Sequence, residues 1–450
     1  MTSGTAPAYP TRMRVLHFSD VHIGVENYGR PATEADVAAL PPHFAPGAER
    51  SGFVGMPTRL LDFLTALDEM VDYALREGVD LVLFSGDAYK SRDPSQTHQR
   101  EFVGRIARLA EAGIVVFLTP GNHDLPHVAN RASALDIFPT LRVENVVAGT
   151  TLATYRVATR AGDAQVVALP WIRIGGFMAK EETRGLSLEE IKVAIEARIT
   201  EHLADEVAQL DPALPAFLCA HVNIAGATTA SERSMMLGND HVLGLGTVAI
   251  PAFDYVALGN IHKHQVLTQN PTVAYAGSLE RIDFSEERED KGFCVIDVDP
   301  SKPRGERMSS FSFVPIAARA MLTIDVAVRS GEDPTDAVLA AIGKHAGSGS
   351  GQAIEGAIVR VRVSMDAEQE PAFRETAVRQ ALAAAHYVTG IERSVRREAR
   401  TRLGTDEAER LGPIEALRRY LGSKNTPAER ERVLIERAEA LIREEVEGAE

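Results

Sequence analysis

A chain of 450 residues, 45% hydrophobic and 25% charged, has the length and composition of a globular protein with two or three cored domains. No apolar run is long enough to cross a bilayer, so no membrane association is expected. The net charge of −15 argues against a uniformly basic nucleic-acid surface; such a chain meets phosphate backbones through local basic patches, bound cations or a basic partner.

Residues 1–12 are small and polar, without the basic start and apolar centre of a secretory signal, and read as a loose tail. Five short apolar runs follow, each ending abruptly in a polar cluster. VLHFSD ends at Asp20, LVLFSGD at Asp87, IVVFLTPGNHD at Asp124, FLCAH at His221 and YVALGNIH at His262. Runs of this length, rich in Val, Leu, Ile and Phe, read as buried strands. Amphipathic stretches at 60–76 and 99–112 read as helices between the first three. The alternation predicts an α/β core, whose sites form beyond the carboxyl ends of the strands. Residues 26–57 carry Pro and Gly without periodicity and read as a long loop near the first cluster. Cys219 and Cys294 lie in apolar runs and read as buried thiols, which fits a reducing cytoplasm.

The chain turns polar around 301–307, and a smaller unit is expected beyond it. MLTIDVAV reads as a strand and 335–346 as a helix. AIVRVRVS alternates, with Val359, Val361 and Val363 on one face and Arg360 and Arg362 on the other. Residues 373–385 read as helical and YVTGIERSV as a strand, completing a small α+β domain. Arg393, Arg396, Arg397, Arg400 and Arg402 form a basic stretch, either touching phosphates or solvated on a helix or connector. Two amphipathic helices end the chain. The first starts at Pro413 and stops at Gly422. The second opens on Thr426 and carries a stripe of Leu434, Ala438, Leu441 and Ile442. They either fold back on their own domain or dock on a partner's helices.

Each polar cluster alone is only modestly specific. Buried Asp and His are costly unless paired or metal-bound, and five strand ends delivering them together point to a metal centre. Carboxylate and amide oxygens mixed with imidazoles suit Mn²⁺ or related divalent ions. Two such ions about 3.5–4 Å apart can clamp the attacking and leaving oxygens of a phosphoester. Gly86, and with it Gly121 and Gly259, would remove bulk near the ions.

The order DxH, GD, GNHD, H, GxxH resembles the calcineurin-like metallophosphoesterases. DVHIGVENYGR, SGDAYKSRDPSQTHQR, LTPGNHD, ALGNIHKHQ and GSLERIDFSEERE resemble the SbcD-type DNA double-strand-break repair nucleases over residues 13–293. The resemblance implies an α/β metallophosphoesterase β-sandwich flanked by helices over 13–315. An α+β cap for DNA recognition at 316–398 and C-terminal helices at 399–450 for a coiled-coil SbcC-type ATPase would follow. It also implies a cytoplasmic homodimer within a heterotetramer, with 60–76 a candidate dimer surface. Cleavage would be exonucleolytic on duplex ends and endonucleolytic on single strands or hairpins, with two Mn²⁺ (or Mg²⁺ and other divalent ions) as cofactors. Residue by residue, Asp20, His22 and His262 would hold one metal, and Asn122 and His221 the other, with Asp87 bridging. His123 would contact the scissile phosphate, and Asp124 would orient His123.

Two positions depart from the family. GHxH is usual where this chain has Asn260, a weaker donor than imidazole, so a weaker second metal or lower activity is expected. A shifted register using His262 and His264 is the alternative. Lys90 stands where many relatives have a histidine; it either contacts a DNA phosphate or is a solvated loop residue. His98 and His127 lie near the motifs without an assigned role. The competing functions are a small-molecule phosphodiesterase and a catalytically weakened protein that tethers DNA ends.

Overall fold

The structure, a computed structural model, describes residues 12–126, 131–173, 187–229, 242–345, 353–396, 412–424 and 426–447. His127, Arg397, Arg400 and Arg402 lie outside the described residues. In chain order the strands are β1 (Met13–Phe18), β2 (Leu81–Phe84), β3 (Val115–Leu118), β4 (Val146–Ala148), β5 (Ala153–Thr159) and β6 (Gly162–Leu169). Next come β7 (Ala216–His221), β8 (Asn223–Ile224), β9 (Val242–Leu243), β10 (Tyr255–Gly259), β11 (Gln265–Gln269) and β12 (Thr272–Tyr275). The last are β13 (Gly292–Val298), β14 (Met308–Pro315), β15 (Met321–Ala327), β16 (Ile358–Asp366) and β17 (Tyr387–Arg396).

Two six-stranded sheets stack face to face. The first has the order β14-β13-β1-β2-β3-β4 and the second β11-β12-β10-β7-β6-β5. The strands β1 to β4 are mutually parallel, as are β6, β7, β10 and β12. Residue alternation explains the layering. Met13, Val15, Leu81, Leu83, Val115 and Phe117 face the second sheet and meet Val166, Phe217, Cys219, Tyr255 and Ala257. Their neighbours Leu16, Phe18, Val82, Phe84, Val116 and Leu118 face outward onto helices Thr58–Arg76 and Gln96–Glu111. The second sheet turns Leu218, Ala220, Val256 and Leu258 towards helix Leu188–Ala208, whose Ile191, Ile195, Ile199 and Leu203 recur every four residues. Strands buried on both faces read as unbroken apolar runs, which is why the sequence announces them. Both cysteines are buried free thiols in this sandwich core.

Residues 26–57 are more ordered than a loop. A helix at Glu34–Ala38 is closed by a Thr33–Asp36 capping box, and a 3-10 turn spans Arg50–Phe53. Val37, Phe44 and Phe53 anchor the segment in the first core. Elements of one turn are too short to show a period, so the sequence pattern misses them. Helix Thr58–Arg76 turns most of its surface inward; Leu75 is its exposed large apolar residue.

The smaller unit is a parallel sheet, β15-β16-β17, with Val359, Val361 and Val363 buried beneath helices Pro334–His345 and Glu375–Ala381. The helix expected over 373–385 is shorter because the chain turns after Leu382. His386 then donates its backbone N–H to the Ala357 carbonyl as β17 begins. Arg393 and Arg396 lie on β17, and Arg396 pairs with Asp366 at 3.0 Å. At the chain's end, helix Pro413–Ser423 includes Gly422 and packs against helix Ala428–Glu447. Leu421 and Ile435 are buried, whereas Tyr420, Val433, Leu434, Leu441 and Ile442 remain exposed. Of the expected stripe, Leu434, Leu441 and Ile442 are therefore exposed and Ala438 is half-buried. Among the described residues, no helix is long and apolar enough to cross a membrane.

Candidate metal centre

The carboxyl ends of β1, β2 and β3 meet those of β7 and β10 across one end of the sandwich. Asp20, His22, Asp87, His221, Asn260 and His262 are buried there. Asp20, His22, Asp87 and Asn260 have positive φ values of 52°, 48°, 62° and 100°. Backbone in this sparsely populated region persists only where its surroundings over-determine it. Those surroundings are hydrogen bonds between the loops. Asp20 N–H donates to Gly86 O at 2.9 Å, His22 N–H to Asp87 O at 3.1 Å and Ile23 N–H to Ala88 O at 3.0 Å. Gly86, at φ +100°, lies so close to His221 and Gly121 that a Cβ would overlap the imidazole. Gly259 likewise abuts the Ser85 carbonyl. These glycines let the site loops press against one another.

The side chains converge. His22 Nε2 lies 3.0 Å from His262 Nε2, 3.6 Å from Asp87 Oδ2 and 3.9 Å from Asp20 Oδ1. On the other side, His221 Nε2 is 3.5 Å from the same Asp87 Oδ2 and 3.0 Å from Asn122 Oδ1. One oxygen of Asp87 thus stands between two imidazoles, while its Oδ1 accepts the His123 N–H at 2.8 Å. Three groups bring possible ligand atoms within 4.8 Å of one another: Asp20, His22 and His262; His22, Asp87 and His123; Asp20, Asp87 and His221.

The donor set fits divalent cations. His221 Nδ1 donates to the Ser85 carbonyl at 2.7 Å, and His262 Nδ1 donates to Glu286 Oε1 at 2.9 Å. A neutral ring so engaged points its Nε2 lone pair inward. His22 Nδ1 is buried and has no hydrogen-bond partner among the described residues. Lone pairs facing carboxylate and amide oxygens repel unless a cation or proton lies between them. Burial alone would push the His221 imidazole down, but Asp87 and Asp20 hold it up at about 9, so a proton can take the cation's place. Burial opposes ionisation of Asp87 too, yet His221 and His123 keep its carboxyl well below the usual range. Asp20 is pushed up, chiefly by burial.

The surrounding residues depart from the sequence-based expectation in several ways. Asp124 does not orient His123. Its carboxylate accepts backbone N–H groups from Asp87 at 2.8 Å, Ala88 at 2.9 Å and Gly121 at 2.9 Å, bracing the turn that carries Asp87. Burial and the Asp87 charge raise it to about 7. His123 Nδ1 instead donates to the Lys90 carbonyl at 2.9 Å. The side chain of Lys90 is half-buried, and burial lowers its pKa despite Asp87 and Asp283, so it is not a freely solvated loop lysine. Asn260 uses its backbone N–H to reach both Asp20 oxygens at 3.2 Å, and its side-chain amide donates to Asn223 Oδ1. The shifted register fails: His264 bonds the Tyr275 carbonyl at 2.8 Å and stacks on Phe313. His98 borders Gly24 and lies 3.9 Å from Glu26.

Two contributors escaped the sequence reading. Asn223, two residues beyond His221, receives the Asn260 amide. Glu286, within the acidic segment after β12, grips His262; nothing in a run of glutamates marks which one points inward. At the rim, Arg92 donates to the Asn122 carbonyl at 2.9 Å and Trp171 stands edge-on to His221.

A model of the calcineurin-like phosphoesterase family matches residues 13–263. Bacterial proteins named as components of the nuclease SbcCD are similar in sequence. The Rhodobacter capsulatus protein is 30% identical over 64% of this chain, that of Escherichia coli K12 25% over 61%, and that of Bacillus subtilis 25% over 64%. The chain spans 66%, 62% and 67% of their respective lengths.

Proposed function

Because the chain belongs to the calcineurin-like phosphoesterase family, whose fold implies divalent metal ions, we propose that it hydrolyses phosphodiesters in the backbone of DNA. The observation that carries this reading is the single Asp87 oxygen lying between His22 on one side and His221 on the other. In this proposal Asp20, His22 and His262 would hold one ion, Asn122 and His221 would hold the second, and Asp87 would serve both. Divalent ions held there, Mn²⁺ foremost, would supply Lewis-acid chemistry at the phosphoryl group and an activated water.

The chain's own residues do the rest. His123 stands beside His22, with ring centroids 5.1 Å apart, and its Nδ1 is held by the Lys90 carbonyl. With Nδ1 committed to that carbonyl, only the doubly protonated ring carries a proton on Nε2, and in that form Nε2–H would donate to the departing oxygen. Lys90 and Arg92 bring positive charge to the rim of an otherwise acidic chain, as a phosphate backbone requires. DNA as the substrate is supported by the names of the relatives. The names extend to a nuclease complex, SbcCD; that the chain works with an SbcC-type ATPase, as a homodimer within a heterotetramer in the cytoplasm, as a duplex exonuclease and single-strand endonuclease, is proposed from the resemblance of its motifs. The three-stranded unit is the DNA-recognition cap. The exposed apolar residues of the terminal helices would meet the ATPase.

The test compares a labelled duplex with a small phosphodiester, in Mn²⁺, with the ATPase partner present. Cleavage of the duplex that disappears in His123→Ala is the expected result. Turnover of the small substrate alone overturns the DNA reading.

One observation favours a second reading, a weakened enzyme that tethers DNA ends. The Asn260 amide is engaged by Asn223, where the family usually presents an imidazole. Asn260→His should raise Mn²⁺-dependent cleavage if the second site limits the rate. No gain over an already active protein removes the weakened-enzyme reading.

A further inference from the structure

One buried carboxylate behind the metal centre, Glu286, lies outside the set of candidate ligands. It is fully buried, in the 3-10 turn Phe284–Glu286, 24 residues from the histidine it contacts. Its Oε1 takes the Nδ1–H of His262 at 2.9 Å. Its Oε2 lies 2.8 Å from Lys291 Nζ and accepts the Ile282 N–H at 3.0 Å. Lys291 also donates to the His262 backbone carbonyl at 3.0 Å and to Glu289 Oε2 at 3.0 Å. Ring and backbone of His262 are therefore held by one buried ion pair.

We infer that Glu286, seated by Lys291, is a positioning residue that fixes His262 in the tautomer carrying its proton on Nδ1, so that Nε2 is kept as a metal ligand. The inference rests on the reading of His262 as a ligand and names a residue beyond that set. A carboxylate can only accept, so the ring nitrogen facing it must donate. Imidazole then has its one remaining lone pair on Nε2, directed at His22 and Asp20. Such partners behind a ligating histidine fix both ring orientation and tautomer.

The informative substitution is Glu286→Gln, which keeps the volume and changes the pattern. The amide orientation that satisfies Lys291 and Ile282 with its oxygen turns its NH₂ onto His262 Nδ1. That ring nitrogen must then accept, and Nε2 acquires the proton. Mn²⁺ binding to the full chain, followed by calorimetry, should weaken by about 10- to 100-fold. In a His262→Ala background the same substitution should change Mn²⁺ affinity little, because Glu286 acts through the ring. A purely structural role would weaken binding equally in both backgrounds and overturn the inference, as would unchanged affinity in Glu286→Gln. If His262→Ala itself binds Mn²⁺ like the unaltered protein, the ligand reading fails instead.

Histidine ¹⁵N shifts in the unaltered protein give a measurement that needs no stable Glu286 variant. His262 should show a protonated Nδ1 and a bare Nε2 when loaded with diamagnetic Mg²⁺. The opposite tautomer overturns the inference.

Discussion

Asp124 illustrates how much of a site can rest on a side chain whose carboxylate is taken up by backbone N–H groups. Three backbone N–H groups end on its carboxylate, and each is buried with the turn it stabilises. Asp124→Ala should cost about 3 kcal/mol in urea unfolding, since unsatisfied buried donors carry most of their desolvation penalty. Hydrolysis should fall as well, because the Asp87 turn loses its brace. At this scale the sequence was informative about chemistry and silent about partnership. The DxH, GD and GNHD motifs mark Asp20, His22, Asp87, Asn122 and His123 by residue type. The partner of His123 is a backbone carbonyl, and a carbonyl has no sequence signature. Glu286 and Asn223 come from 24 and 37 residues away from the groups they hold, a separation that only the folded topology closes.

The strands were legible because each of the first five apolar runs is buried on two faces, so hydrophobicity is continuous and stops where the site begins. The turns between them were less so. Gly259 shows why: it closes β10 where that strand passes the Ser85 carbonyl at the end of β2, a contact between strands of different sheets. Gly259→Ala should destabilise the protein by about 1–3 kcal/mol, the usual cost of overpacking, and reduce Mn²⁺ affinity by displacing Asn260 and His262. Thermal unfolding and calorimetry would report the two effects. An unchanged melting temperature would mean that the β2 and β10 ends can separate at no cost. The segment over 26–57 and the shortened helix after Phe373 show the opposite case, elements decided by packing and capping rather than by periodicity.

Across the whole molecule, the three-stranded unit is joined to the sandwich by an apolar cluster of Phe284, Met321 and Ile358 and by polar contacts. Arg319 pairs with Asp62 on helix Thr58–Arg76, and its backbone N–H donates to Glu280 Oε2 at 2.9 Å. His386 Nε2 bonds Thr58 Oγ1 at 3.0 Å, and Glu287 accepts from both the backbone N–H and the hydroxyl of Thr323 on β15. Burial, with the nearby Arg319 charge, pushes His386 down to about 4. The unfolded chain therefore binds this proton more readily, and stability is lost as pH falls from about 6.5 towards about 4. The bare shift corresponds to about 3 kcal/mol at ~1.4 kcal/mol per pH unit. With the ring half-exposed, screening reduces the expected effect to about 1 kcal/mol. His386→Gln should flatten that part of the stability–pH curve. If the variant keeps the unaltered slope, another group governs the junction.

Glu286 and Glu287 are adjacent in the chain and grip opposite things, one an imidazole of the metal centre and the other the first strand of the smaller unit. No flexible spacer separates them. A displacement of β15 would therefore reach the Glu286–His262 bond through a single peptide link, as strain reaches a gauge bonded to the beam it reads. If His262 holds an ion as proposed, its occupancy would then report how the smaller unit is seated. Glu287→Ala, which removes the contact with β15 and leaves every proposed ligand in place, should speed amide exchange at Thr323 and weaken Mn²⁺ binding together. Faster exchange with unaltered Mn²⁺ affinity would show that the gauge is not wired to the beam.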